Sequence, residues 1–262
     1  MSRIMVLAGV VWREMLRKKD FYVLLVLLIA LTLALFTVDT FGAENAARYV
    51  LDLGLLMIWI FSIVLTVVLS ARQIPAEEKR GTIYALLAKP VSRMELLLGK
   101  WLGCWSASAA ATLIFFAFLT LVTILRGGAL DPAALLQCWL LYVCLLAVVS
   151  ALTLALSTRM TYGASATTSL VVQGAVFTLV PRIPVLVGYE QGLRRTLLIV
   201  IYYLLPHYEL FDMRRRLVHE WGALPWTAFA LVAAYAAALT AAFLLLAWLG
   251  YRGKRFKRGA AV

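Results

Sequence analysis

Six long apolar runs dominate this sequence, and none carries a Lys, Arg, Asp or Glu in its central part. They extend approximately over Phe21–Val38, Val50–Ser70, Trp101–Leu125, Leu135–Leu156, Gly163–Val180 and Leu224–Tyr251. A hydrocarbon core of roughly 30 Å is crossed by about 20 apolar residues in a helix, so each run predicts one span. Backbone groups inside a bilayer must be satisfied within the segment itself. The fold class expected is therefore an all-α integral membrane protein with six transmembrane helices. Composition agrees, since the chain is 64% hydrophobic and only 15% charged, against about a quarter charged in soluble domains.

The formal net charge of +12 could by itself point to nucleic acid. The basic residues, however, sit at the ends of the apolar runs, where the positive-inside rule expects them. Arg3, Arg13, Arg17, Lys18 and Lys19 precede the first run, and Arg159 lies between the fourth and fifth. Arg252, Lys254, Arg255, Lys257 and Arg258 follow the last. With the basic residues of 72–100 they fall on one side of a six-span chain, which predicts both termini in the cytoplasm. The charge reads as topology, with membrane lipid as the surrounding partner and no nucleic acid.

Before the first run, Ile4, Leu7, Ala8, Val11 and Met15 share one helical face and Arg13 and Arg17 oppose it, which predicts an interfacial helix over 1–20. Val6 and Val10 interrupt its basic side. The run REMLRKKD follows where a signal peptide would have a small-residue cleavage site, so this segment is expected to stay attached. Cys104, Cys138 and Cys144 fall inside apolar runs and form no CxxC pair, which predicts buried thiols packed as small hydrophobes, with neither a disulfide framework nor a metal site.

The chain reads as a single transmembrane domain over 1–262. The interfacial helix leads into the first two spans, 21–71. A charged loop, 72–100, precedes the third to fifth spans, 101–180. A segment on the far side, 181–223, precedes the sixth span, 224–251, and a basic tail, 252–262, follows. Prolines at 181, 184, 206 and 225 divide the far-side segment, predicting one or two short helices that dip in from that face or lie on it, and then the polar stretch HYELFDMRRRLVHEW. LLIVIYYLL within it is apolar but too short to cross. A longer fifth helix that carries part of this segment to the other side is the alternative.

Packing signals mark two spans. Gly99, Gly103, Ala107 and Ala111 recur every four residues and form a small-residue stripe for a closely packed neighbour. In the fifth run, Ser165, Thr168, Ser169 and Gln173 offer two readings. They satisfy themselves against backbone at a helix contact, or they line a pathway.

The chain has no GxxxxGK[ST] phosphate loop, and its spans lack the ionisable residues that proton-coupled carriers use. His207, Glu209, Asp212, His219 and Glu220 match no metal-ligand spacing. Catalysis by this chain is therefore not expected, and energy for transport must come from elsewhere. A self-contained carrier or channel is the alternative. A membrane enzyme or scaffold built on the His207–Glu220 cluster is a third.

The most charged interruption is RQIPAEEKRGTIYALLAKPVSRMELLLGK, Arg72 to Lys100. Glu77 and Glu78 lie at the end of the second span's helix. Gly81 permits a reversal, Thr82 can cap a short helix over Ile83 to Leu87, and Lys89 and Pro90 end it. Ser92 with Glu95 three residues on predicts a capping box opening the next helix. The element expected is a short transverse helix held between two spans.

EEKRGTIYALLAKPVSRMELLLGKWLG resembles the first cytoplasmic loop of membrane subunits of type-two ABC exporters. The resemblance rests on Glu77 or Glu78, Gly81, Thr82, Leu86, Leu87, Pro90, Ser92, Arg93, Gly99 and Lys100. YYLLPHYELFD is also similar to that family's sequence before its last span. The resemblance implies a permease subunit of a prokaryotic cytoplasmic membrane, paired with a second copy or a related permease. It implies a separate ABC ATPase that binds ATP and Mg, while this chain binds no cofactor. It also makes the loop a coupling helix, with Glu77, Glu78, Gly81, Thr82 and Arg93 toward the ATPase.

Overall fold

In the computed structural model, residues 3–17, 42–80 and 92–253 are described, together with Tyr22, Val26, Ile29 and Ala30. The first predicted span apart from those four residues, the coupling helix with Gly81 and Thr82, and the basic tail from Lys254 onward lie outside the described residues.

The chain is helical throughout this part. α1 is Arg3–Arg17, α2 Gly42–Ala71, α3 Gln73–Arg80, α4 Arg93–Leu125 and α5 Pro132–Ser157. They are followed by α6 Tyr162–Leu179, α7 Ile183–Tyr189, α8 Leu193–Leu204, α9 Arg214–Val218 and α10 Trp226–Arg252. Among the described residues five helical stretches are long and apolar enough to cross a membrane: Arg48–Lys79, Arg93–Leu125, Pro132–Ser157, Tyr162–Tyr189 and Trp226–Arg252. They coincide with the second to sixth predicted spans. The fifth is longer than expected because a 3-10 turn, Val180–Arg182, carries α6 onward into α7.

Local chemistry sets the helix ends. The capping box is present at α4, where the Glu95 N–H donates to Ser92 Oγ at 3.1 Å and the Ser92 N–H donates to Glu95 Oε2 at 2.7 Å. Asp131 caps α5 by accepting from the Ala133 N–H at 3.0 Å, with Pro132 in the first turn where its missing N–H costs nothing. Gly127 takes φ +77° just past α4, a backbone conformation that turns the chain back and favours glycine.

α5 is the central post, packed on α2, α4, α6 and α10. Trp101 and Trp105, stacked one turn apart, donate their indole N–H groups to the α5 carbonyls of Ala147 and Val143 at 3.1 and 2.9 Å. Tyr142 of α5 donates to the Trp59 carbonyl of α2 at 2.7 Å. Cys104 and Cys138 are buried and Cys144 is partly buried; all three are free thiols.

Contacts between helix ends order the spans. α1, the α2–α3 junction, the start of α4, the α5–α6 turn and the end of α10 gather at one end, which is rich in Arg and Lys. Arg48, the α4–α5 turn, Tyr208–Phe211 and the start of α10 gather at the other.

α1 buries Leu7, Ala8, Val11 and Met15, the face predicted from spacing, while Val6 and Val10 are exposed. Its partner is α4. Ile4 and Leu7 meet Gly99, and one turn further along both helices Ala8 and Val11 meet Gly103. Equal steps mean that α1 runs lengthwise along the start of α4, and Trp12 adds a hydrogen bond to Ser106 Oγ at 2.9 Å. Ala107 and Ala111 continue the stripe, buried beside Val11, Met15, Leu65 and Leu69.

The far-side segment holds the short helices expected and a polar stretch that is not polar in its packing. α7 and α8 pack on each other, and α8 buries no side chain. The chain then turns inward. Tyr208, Phe211, Met213, Leu217 and Val218 are buried in the main core with residues of α2, α4 and α5. Counting polar letters misses this because its apolar residues follow neither a strand nor a long-helix period.

Candidate functional site

The basic end is built from the α2–α3 junction outward. Pro75 has no N–H, so the Ala71 carbonyl one turn earlier loses its helical donor. Ser165 of α6 donates to that carbonyl at 3.4 Å and docks the start of α6 on the junction. Beyond it, Glu77 of α3 forms a salt bridge with Lys100 of α4, whose side chain is only 2% exposed. Arg93, in the first turn of α4, donates to the carbonyls of Tyr251 and Arg252 at 2.8 and 2.6 Å. Its guanidinium also lies over the Tyr251 ring, 5.7 Å from the centroid. Arg93 thus supplies donors and positive charge where α10 ends with orphan carbonyls.

Two of the five residues expected to face an ATPase, Glu77 and Arg93, are therefore engaged inside the chain, tying α3, α4 and α10 together. Glu78 borders a cavity at the same end. Gly81 and Thr82 lie outside the described residues. The inward roles of Arg93 and Lys100 are invisible in sequence because their partners are more than 150 and more than 20 positions away.

The hydroxyl-rich span presents two distinct faces. Ser165, Ser169 and Gln173 are buried, with Ser169 Oγ 2.6 Å from Thr153 Oγ1 of α5. Thr168 is half-buried. The polar stripe thus packs against α2 and α5, and the exposed face of α6 carries Thr167, Val171, Gly174 and Thr178 instead. Thr167 and Thr178 return their hydroxyls to carbonyls of their own helix, at 2.9 and 2.8 Å.

The far-side segment also carries charge into the bundle, which the uncharged spans concealed. Arg214 donates to Asp212 through Nε at 2.9 Å and Nη2 at 2.7 Å, and their side chains are 15% and 19% exposed. The guanidinium stacks over Trp59 and Phe177 at 5.3 and 5.6 Å. Trp59 lies eleven residues along its helix from Arg48, roughly 16 Å at 1.5 Å per residue. The spans themselves carry no such charge in their central parts; the pair reaches them on the segment between the fifth and sixth. Asp212→Asn keeps one acceptor but removes the charge facing the guanidinium, so it should cost about 2 kcal/mol. A thermal unfolding series in detergent would show this as a lowered midpoint.

Three other members of the His207–Glu220 cluster go to separate partners. The His207 N–H donates to Tyr235 Oη at 3.0 Å, Glu220 pairs with Arg48 at 3.2 Å, and His219 stacks on Trp221. Among the described residues no three His, Cys, Asp or Glu side chains form a group that could hold a metal ion.

Long apolar helices of alternating direction, joined at a basic end by an ion pair and by side-chain bonds to backbone, define a multi-pass membrane protein. Residues 13–184 match the family model described as ABC-2 family transporter protein, and the chain belongs to that family. It is thus a permease of the ABC-2 type. Comparison with curated proteins gives no match.

Proposed function

We propose that this chain is the permease subunit of an ABC exporter, working as a dimer with a second copy or a related permease. Separate ATPase subunits dock on its loop 72–100 and carry ATP and Mg; the permease itself hydrolyses nothing. Its basic end faces the cytoplasm of a prokaryotic cell, with both termini there and six crossings in all. α1 and Arg48, which flank the first apolar run, lie at opposite ends of the molecule as a sixth crossing needs.

The observation that carries this reading is the tie at the basic end. Glu77–Lys100 and Arg93 with Tyr251 and Arg252 join α3, α4 and α10 around the loop. A push on the loop would then be shared by the second, third and sixth spans rather than by the two it connects. Coupled motion of packed elements is how a small displacement at a docking surface becomes a tilt of helices. The pathway between two copies would run along the exposed face of α6, with Thr167, Gly174 and Thr178 on it.

The test is permease-dependent ATP hydrolysis in a reconstituted complex. Gly81→Val and Glu78→Lys should each lower it about tenfold while the permease inserts normally. Unchanged hydrolysis in both variants would remove the coupling assignment. Among the described residues the Asp212–Arg214 pair favours a self-contained carrier; ion-driven transport by this chain without any ATPase would establish that reading instead.

A further inference from the structure

A cavity of about 800 Å³ opens at the basic end, between α3 and the turn that joins α5 to α6. Its volume is that of small-molecule sites, about 300–1,000 Å³. Arg72, Lys79 and Arg159 line it, against the single carboxylate of Glu78. Arg72 is only 6% exposed, whereas Lys79 and Arg159 are exposed and reach the opening.

The wall opposite α3 adds donors. Thr161 precedes α6 without a side-chain capping bond, and the first helical bond runs from the Ser165 N–H to the Thr161 carbonyl at 2.9 Å. The N–H groups of Tyr162 and Gly163 therefore come before the helical ladder, where partial positive charge collects. A Cβ built on Gly163 would meet nothing within 4 Å, so this backbone is open to close approach. Beside the charges stand the apolar surfaces of Met160, 39% exposed, and Tyr162, 44% exposed.

We propose that this cavity binds the phosphate of an anionic phospholipid from the leaflet at the basic end. Lys79 and Arg159, both exposed, answer the phosphate and its headgroup charge. The apolar rim answers the glycerol and the first methylenes, which a free anion would leave uncovered. The site stands where α5 ends and α6 begins, the level at which spans meet headgroups. Basic pockets between spans on the cytoplasmic side are a recurrent form of lipid recognition.

The experiment needs neither ATPase nor transport, so its outcome is separable from the coupling assignment. Purified full-length permease is titrated with phosphatidylglycerol or phosphatidylcholine, and bound lipid is counted by native mass spectrometry. Phosphatidylglycerol should bind selectively. At about 1 kcal/mol per basic residue near the surface, Arg159→Gln should weaken it about 5-fold and Arg159→Gln with Lys79→Gln about 30-fold. Arg194→Gln with Arg195→Gln, the same charge change on exposed α8, should leave it unaltered and checks that the loss is local. Equal binding by wild type and the Arg159/Lys79 variant overturns the proposal. Displacement of the lipid by millimolar inorganic phosphate overturns the lipid assignment in favour of a free anion. Retention of the lipid under phosphate supports it.

Discussion

Replacing Glu77 by Ala should destabilise the permease by about 3–5 kcal/mol, the range for removing one partner of a buried ion pair. The reason is Lys100. Its side chain is 2% exposed and faces Glu77, itself only 15% exposed, so the ammonium left behind can reach neither water nor that carboxylate. Adding Lys100→Met to Glu77→Ala should recover most of the loss, because a buried pair exchanged for apolar groups of similar volume is often neutral or better. Unfolding of the two single variants and the double variant in detergent forms a double-mutant cycle. A strong non-additive term is expected, and additive losses would show that the pair does not hold α3 to α4. The same geometry decides which residue can report on coupling. Glu77→Lys would put a second ammonium against Lys100 and disturb the fold, so its effect on ATP hydrolysis could not be read. Glu78, at the edge of the cavity, is the carboxylate to reverse.

What the sequence discloses here follows the range of the interactions involved. The five described spans, the capping box at Ser92 and Glu95, and the buried face of α1 rest on contacts within a few residues or on apolar length alone. All of these are legible from spacing. The small-residue stripe on α4 announces a close neighbour but not which one; α1 is identified only when Gly99 and Gly103 are seen against Ile4 to Val11. On α6 the hydroxyls mark a polar stripe, yet only the packed bundle shows Ser165, Ser169 and Gln173 turned to α2 and α5 with Thr167 and Thr178 left outside. Arg214 and Asp212 look like loop charges because depth in the bundle is a tertiary property. Their neighbours Trp59 and Tyr142 are far away in the chain. Arg93 likewise reads as a docking residue until the end of α10 is placed beside it.

Gly103→Val should detach α1 from α4. A Cβ at Gly103 would lie 2.6 Å from Val11 Cβ and 3.0 Å from the Ala8 carbonyl oxygen. The first is a branch point and the second is backbone, so neither can swing aside as a flexible side-chain end could. Overpacking of this kind costs about 1–3 kcal/mol even when neighbours adjust. Here the adjustment moves α1 as a body, which also weakens the seat of Leu7 at Gly99 and the Trp12 bond to Ser106. A loss of about 3 kcal/mol is expected, and it should fall on α1 rather than on the α2, α4, α5 and α10 bundle, whose contacts do not pass through Gly103. Hydrogen exchange distinguishes the two, since local opening reports its own free energy. Amides of α1 should exchange about 100-fold faster in Gly103→Val while those of α5 keep their rates. Gly9→Ala provides the contrast within α1. Nothing lies within 4 Å of a Cβ there, so the substitution should gain up to about 1 kcal/mol of helix propensity. If Gly103→Val left α1 as protected as the wild type, the stripe would not be what seats this helix. Protection in α1 would then have to come from contacts beyond Gly103, with Leu65 and Leu69 of α2, which pack with Met15 in the same cluster, as the next residues to substitute.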